Sequence, residues 1–347
     1  MNAEPAPGRL TEPVEAPGAL GRGQGPKLLL RKLAIVFSAF AVSVGLGEVG
    51  LRLFCQHKLS LMQDEKSMLY RYDASLGWFP RASHRATGFG SRLFVTEHNS
   101  HGFRGPEPLP SNKPVIVFLG DSFVWGYDVD ASERFTEKFQ ARHPNWTVLN
   151  LGISGYGTDQ ELLLLQQKFD TYRPRVVFLM FCTETDEEDN CSNVRYWGYY
   201  KPYYTVENDQ PRLKGVPVPR SERAILSAHP LLAPSFIVRL LVRAYCKFTL
   251  PPELHNPSPT KALLRALQEY VTSKGAVLVV GLTCGNPPIE EELGHLKIPF
   301  VDVSTPLRYP DPSHGQHWTP EGHSFVCDRI DTFLTQGGYF KLAAGGH

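Results

Sequence analysis

Val115-Ile116-Val117-Phe118-Leu119-Gly120-Asp121-Ser122-Phe123 is the stretch from which the fold can be read. Five consecutive apolar residues read as a buried strand. They run into a Gly-Asp-Ser turn that leaves a serine at the strand's carboxyl end. Open α/β sheets bind their ligands along that edge. Glycine permits a tight turn there and aspartate is comfortable in one, so the Ser122 hydroxyl can stand exposed. A lone serine at a strand end says little about chemistry. The weight comes from a second segment far downstream, His317-Trp318-Thr319-Pro320-Glu321-Gly322-His323.

Working outward, strand and helix patterns alternate from residue 114 onward. Strands are predicted at Val115–Leu119, Trp146–Leu151, Val176–Phe181, Ala276–Leu282 and Pro299–Val303. Helices are predicted near Ser132–Arg142, after a capping box at Thr158-Asp159-Gln160-Glu161, from Thr260 to about Gly275, and from Thr319-Pro320 onward. This alternation predicts a parallel sheet covered on both faces by right-handed crossovers, a three-layer α/β/α domain. Residues 187–259 interrupt it with a Tyr-, Trp- and Pro-rich segment around Tyr196–Tyr204 and a helical pattern near Ser221–Lys247. So long an excursion is a lid, a binding loop or a small subdomain. Its aromatics either stack on sugar rings or pack upon one another.

The amino-terminal third reads differently. Residues 1–26 are rich in Pro, Gly, Ala and Glu without an apolar period, which predicts disorder. Basic Lys27, Arg31 and Lys32 then precede an uncharged run from Leu33 to Gly47, with apolar character continuing through Phe54. That pattern predicts a cytoplasmic N-terminus (residues 1–32) and a signal anchor over 33–54, with the remainder exported. A cleaved signal peptide and a buried soluble helix are the alternatives. Residues 55–113 show no long helical period and read as a stalk and flank to the domain at 114–337, leaving 338–347 as a tail.

With 36 basic and 35 acidic side chains, the chain lacks the positive charge of a nucleic-acid binder. Six cysteines without a Cys-x-x-Cys pair argue against structural zinc, and no cofactor signature is present. The acidic run Glu184, Asp186, Glu187, Glu188, Asp189 lacks the spacing of a calcium loop and reads as a solvated acidic segment.

Three segments end strands on one edge: Gly120-Asp121-Ser122, Asn150-Leu-Gly152-Ile-Ser-Gly155 and Cys182-Thr-Glu-Thr-Asp186. With His317 they supply what acyl transfer needs: a nucleophile, a base and backbone donors for an oxyanion. In this ordered set, together with Gly155-Tyr-Gly157, Asp186-x-x-Asp189-Asn190 and more loosely Asn99-Ser-His-Gly-Phe-Arg104, the chain resembles the SGNH hydrolases. These are the GDSL-like lipase and esterase superfamily, here in a membrane-anchored, exported form.

The resemblance implies a flavodoxin-like parallel sheet, Ser122 as nucleophile and His317 as general base. It also implies backbone oxyanion donors at Ser122 and Gly152, with Asp121, Asn150, Asp186 and Asn190 as supporting groups. Two positions depart from the family. Glu184-Thr185-Asp186 stands where Gly-Asn-Asp is usual, so Thr185 takes the place of an oxyanion asparagine. His314 and Gly315 occupy the usual places of the acid before the histidine, which leaves Asp311, or no side chain, to orient His317. The expected activity is that of a serine esterase or O-acyltransferase on acylated carbohydrate or lipid, using no cofactor or metal. A polysaccharide-binding module with decayed catalytic groups is the alternative.

Overall fold

The computed structural model describes residues 25–59, 69–108, 111–196 and 198–342. It divides into two compact units, one of residues up to 59 together with Ser235–Ile237, the other of the remaining residues. Of the disorder expected for 1–26, residues 1–24 lie outside the described residues, as does the end of the expected tail, 343–347, while Gly25 and Pro26 already belong to a helix.

In the first unit, α1 (Gly25–Leu59) is a single helix that starts before the expected anchor and ends beyond it. Over Lys27–Leu59 its mean hydropathy is 1.9, and it is the one helix among the described residues long and apolar enough to cross a membrane. At 1.5 Å per residue it is longer than the ~30 Å hydrocarbon layer requires. Glu48 is not left unpaired: it accepts from Ser235 Oγ (2.9 Å) and from the amides of Phe236 (2.9 Å) and Ile237 (3.1 Å).

In the second unit, the segment expected as a stalk forms two antiparallel hairpins. One pairs β1 (Tyr70–Asp73) with β2 (Gly77–Pro80), the other β3 (His84–Phe89) with β4 (Leu93–His98). Each strand is only four to six residues long, too short for a distinct period in a sequence crowded with charged and aromatic residues.

The main sheet consists of β5 (Val115–Leu119), β6 (Thr147–Asn150), β7 (Val176–Phe181), β12 (Val277–Leu282) and β13 (Phe300–Asp302). Its order is β13-β12-β7-β5-β6 and every pairing is parallel. The chain reverses its direction of strand addition between β5 and β7, and in such sheets the crevice at that switch is the ligand site. All six residues of β7 are buried, as befits a central strand covered on both faces.

One face carries α4 (Thr158–Tyr172) and α8 (Thr260–Ser273) over Leu162, Leu165, Leu263 and Leu267. The other carries α3 (Phe135–Arg142) and α10 (Pro320–Gln336) over Phe118, Phe139, Val326 and Ile330. The capping box expected at Thr158–Glu161 does not form. Gly157 is the N-cap, Thr158 lies within the helix, and tertiary burial of both side chains overrides the local motif.

The excursion begins with α5 (Asp186–Cys191), followed by the short pair β8 (Val194–Arg195) and β9 (Tyr199–Tyr200) and the hairpin β10 (Tyr203–Glu207) with β11 (Gln210–Lys214). Then come α6 (Glu222–Ala228) and α7 (Phe236–Thr249). Tyr199 and Tyr204 are buried in the core with Trp78, so most of this aromatic material packs inward. A last helix on the sheet, α9 (Pro287–His295), precedes β13. All six cysteines are free thiols.

Candidate active site

Ser122 opens a short helix, α2 (Ser122–Trp125), directly after β5. Asp121 caps that helix, its Oδ1 accepting from the Phe123 amide at 2.9 Å. Ser122 Oγ lies 2.7 Å from His317 Nε2. The two residues are 195 apart in sequence, brought together because β5 and the loop before α10 end on the same edge of the sheet.

His317 is nearly buried, between the Tyr127 ring stacked at 4.6 Å and the Phe123 ring at 5.1 Å. Burial, with the positive charges of Arg308 and His314, lowers its pKa to about 4. A neutral imidazole facing a serine hydroxyl can accept that proton.

The other imidazole nitrogen faces a carboxylate that the sequence did not single out. Asp128 Oδ2 lies 3.9 Å from His317 Nδ1, beyond hydrogen-bond distance, so the carboxylate acts on the ring through its charge. Asp128 is fully buried, its pKa raised by that burial, and its Oδ1 accepts from the Ser91 amide at 2.9 Å. It occupies the left-handed region at φ +66°, which aspartate tolerates better than most residues.

Arg104 holds this turn. Its buried guanidinium donates to the carbonyls of Val95 (2.7 Å), Trp125 (3.2 Å), Gly126 and Val129 (2.5 Å). The Asn99–Arg104 segment therefore braces the backbone on either side of Asp128.

Asp311 stands elsewhere. Its carboxylate accepts from Ser313 N (2.9 Å), Ser313 Oγ (2.7 Å) and His314 Nδ1 (3.1 Å), closing an exposed turn upstream of His317. Gly315 then reverses the chain at φ +82°, where a Cβ would sit 2.8 Å from His317 Cε1. The histidine thus turns away from its own loop and toward the turn after α2.

The expected oxyanion and supporting groups are disposed unevenly. Asn150 Oδ1 accepts from the Gly152 amide at 2.9 Å, so that amide is engaged within its own turn. Gly152 packs closely behind α2, where a Cβ would lie 2.5 Å from Trp125 N. Asn150 Nδ2 ties this turn to Val124 O at 2.7 Å and Thr136 Oγ1 at 3.1 Å.

Thr185 lines the cavity, but its hydroxyl donates to Cys182 Sγ at 3.3 Å. Asp186 Oδ2 accepts from the Cys182 amide at 3.0 Å, and Asn190 links Asp159 N to Thr260 Oγ1. These last two are structural ties behind the site.

Part of the acidic run is buried instead of solvated. Asp186 and Asp189 are inside with Asp121, Asp159 and Glu161, while Glu187 and Glu188 are exposed. Two cations partner this group, Lys201 on Asp159 and Arg195 on Asp189. Burial raises the Asp121 carboxyl to about 6 and pushes Asp186 and Glu161 well up. Ligand atoms of Asp121, Cys182 and Asp186 lie within 4.8 Å of one another, the only such grouping of potential metal ligands among the described residues.

Glu184 does not confront the nucleophile with a bare charge. It accepts from Arg308 Nη1 (2.6 Å), Thr283 Oγ1 (2.5 Å) and Cys284 Sγ (3.2 Å), and these contacts hold its pKa at about 2 despite partial burial. His323, buried against Phe135, accepts from the Phe135 amide at 3.3 Å and serves packing. Ser122 and His317 open into a cavity of about 450 Å³ that also exposes Tyr127, Tyr196, Arg195 and Arg308. Tyr127, Arg195 and Arg308 escaped sequence reasoning because none stands in a motif; only the fold brings them to the edge.

No protein-family model matches the chain, and no curated protein matches it. Solved structures resemble it in fold at low identity. The crystal structure of TesA is 12% identical, covers 64% of this chain and 98% of its own, and has a TM-score of 0.38. A member of the lipolytic G-D-S-L family from Veillonella parvula is 14% identical over 64% of this chain and 98% of its own, with TM-score 0.38. The psychrotrophic esterase EstA from Pseudoalteromonas sp. is 10% identical over 65% and 98%, with TM-score 0.37. In fold, the chain is similar to these three solved structures, among them a lipolytic protein of the G-D-S-L family.

Proposed function

We propose that this protein is a serine esterase or O-acyltransferase working through an acyl-Ser122 intermediate. The observation that carries the reading is the 2.7 Å approach of Ser122 Oγ to His317 Nε2 at the mouth of a cavity on the sheet's carboxyl edge. His317 takes the serine proton as Oγ attacks the acyl carbonyl, then returns it to the leaving alkoxide. Asp128, 3.9 Å from Nδ1, stabilises by its charge the imidazolium formed in between. The Ser122 amide, at the first position of α2 where no intrahelical acceptor is available, serves as an oxyanion donor.

The acceptor that releases the acyl group is water or a sugar hydroxyl. The cavity joins tyrosine rings to charged and hydroxyl groups, a lining that suits acylated carbohydrate or a lipid headgroup better than a long acyl chain. The basic-then-apolar start of α1 supports a single-pass anchor with a cytoplasmic N-terminus and an exported catalytic unit.

The engaged Gly152 amide and the Thr185 hydroxyl turned to Cys182 favour a second reading, a carbohydrate-binding module with a weakened site. Hydrolysis of a chromogenic acetyl ester separates the two. Under the esterase reading it is abolished by Ser122→Ala and by His317→Ala. Turnover that survives both substitutions would refute acylation at Ser122, and none in folded wild type would favour the module.

A further inference from the structure

Helix α7 presents apolar side chains on the face turned away from the protein. Ile237, Leu240, Leu241, Ala244, Tyr245 and Phe248 recur at intervals of one, three and four, so they share one stripe. Leu240, Leu241, Tyr245 and Phe248 are exposed, and Phe248 is 84% accessible. Phe236 and Cys246, on the opposite side, are buried. In the turn just before the helix, Leu231 is 93% accessible and Leu232 is exposed as well. Exposed apolar side chains gathered on one helix and its leading turn mark an interaction surface.

We propose that this stripe lies in the interfacial layer of an anionic phospholipid bilayer. Two features point to lipid. The segment 220–249 holds Arg220, Arg223, Arg239, Arg243 and Lys247 against the single acid Glu222, five positive charges to one negative. Arg239 and Arg243 lie on the protein-facing side, bonded to the Ala233 carbonyl (2.6 Å) and to Glu222 (3.1 Å), while exposed Lys247 stands at the edge of the stripe, where a cation of an interfacial helix meets the headgroups. The second feature is continuity. The residues that begin α7 donate to Glu48 of α1 and belong to the same compact unit as that membrane-length helix. The apolar stripe starts at Ile237, the last of those donors. This inference rests on reading α1 as a membrane anchor.

The test uses the full chain reconstituted into vesicles of phosphatidylcholine and phosphatidylglycerol containing an alkyne-tagged lipid. A benzophenone amino acid replaces Phe248, Phe40 in α1 or exposed Lys214 in β11, one per sample. Irradiation should attach lipid at 248 and at 40, with adduct at 248 about tenfold above that at 214. Adduct at 40 but only background at 248 overturns the proposal and leaves the anchor standing. Background at both 40 and 248 removes the anchor reading and the proposal with it. A protein–protein adduct at 248 in place of lipid shows a second copy on the stripe and also overturns it.

Discussion

Replacing Asp128 by Asn tests how the site handles charge. Asparagine is nearly isosteric, tolerates φ +66° and retains an oxygen for the Ser91 amide, so the turn keeps its shape. What disappears is a negative charge 3.9 Å from His317 Nδ1. That charge matters little to neutral imidazole and much to the imidazolium formed as Ser122 loses its proton. At an effective dielectric of about 20, opposite unit charges at this distance attract by about 4 kcal/mol. Removing the charge should therefore slow acylation about a thousandfold, since each ~1.4 kcal/mol is a factor of ten. KM should move little, because the loss falls on the transition state. The assay is kcat for an acetyl ester, with circular dichroism to show the fold intact and Asp311→Asn as a control expected to stay within about twofold of wild type. An Asp128→Asn variant within about threefold of wild type would refute this role for the carboxylate. A large loss in Asp311→Asn would restore the acid to the histidine's own loop.

Other consequences follow from the same geometry. His317 is held near pKa 4 against an ordinary 6.5, so activity should stay level through neutral pH and fall with a midpoint near 4; a midpoint at 6.5 would contradict its burial. The sign for stability is the same. The unfolded chain protonates this imidazole first, so stability is lost as pH falls from about 6.5 toward 4. Gly315→Ala forces a Cβ toward His317 Cε1 at a left-handed position, and should lower kcat at least about tenfold for ~1–2 kcal/mol of stability; unchanged kcat would dispose of that placement. Lys201→Met strands the buried Asp159 carboxylate, which should cost about 3–5 kcal/mol, read as a drop in Tm that pairing with Asp159→Leu largely recovers.

Much of this architecture is legible from residues alone. The strand into Gly120-Asp121-Ser122 and the Val176–Phe181 run stand out because a central parallel strand, buried on both faces, is uniformly apolar. Thr319 was also readable as a helix start, and its Oγ1 accepts from the Gly322 amide at 3.2 Å. Local signals failed where tertiary packing decided the outcome. Thr158 and Glu161 match a capping box in spacing, yet both side chains are buried and Gly157 takes the cap. Asp128 was illegible for another reason. Its relation to His317 spans 189 residues and depends on a left-handed turn braced by Arg104, which no local pattern encodes. Asp311 was the natural choice only because it is near His317 in sequence, and the reversal at Gly315 removes that advantage.

Whether Ser122 is an activated nucleophile is read from fluorophosphonate labelling of the full chain beside Ser122→Ala and His317→Ala. Wild type should carry one covalent adduct, located at Ser122 by mass spectrometry, and neither variant any. A folded wild type that takes no label, or one that labels equally well without His317, would contradict that activation.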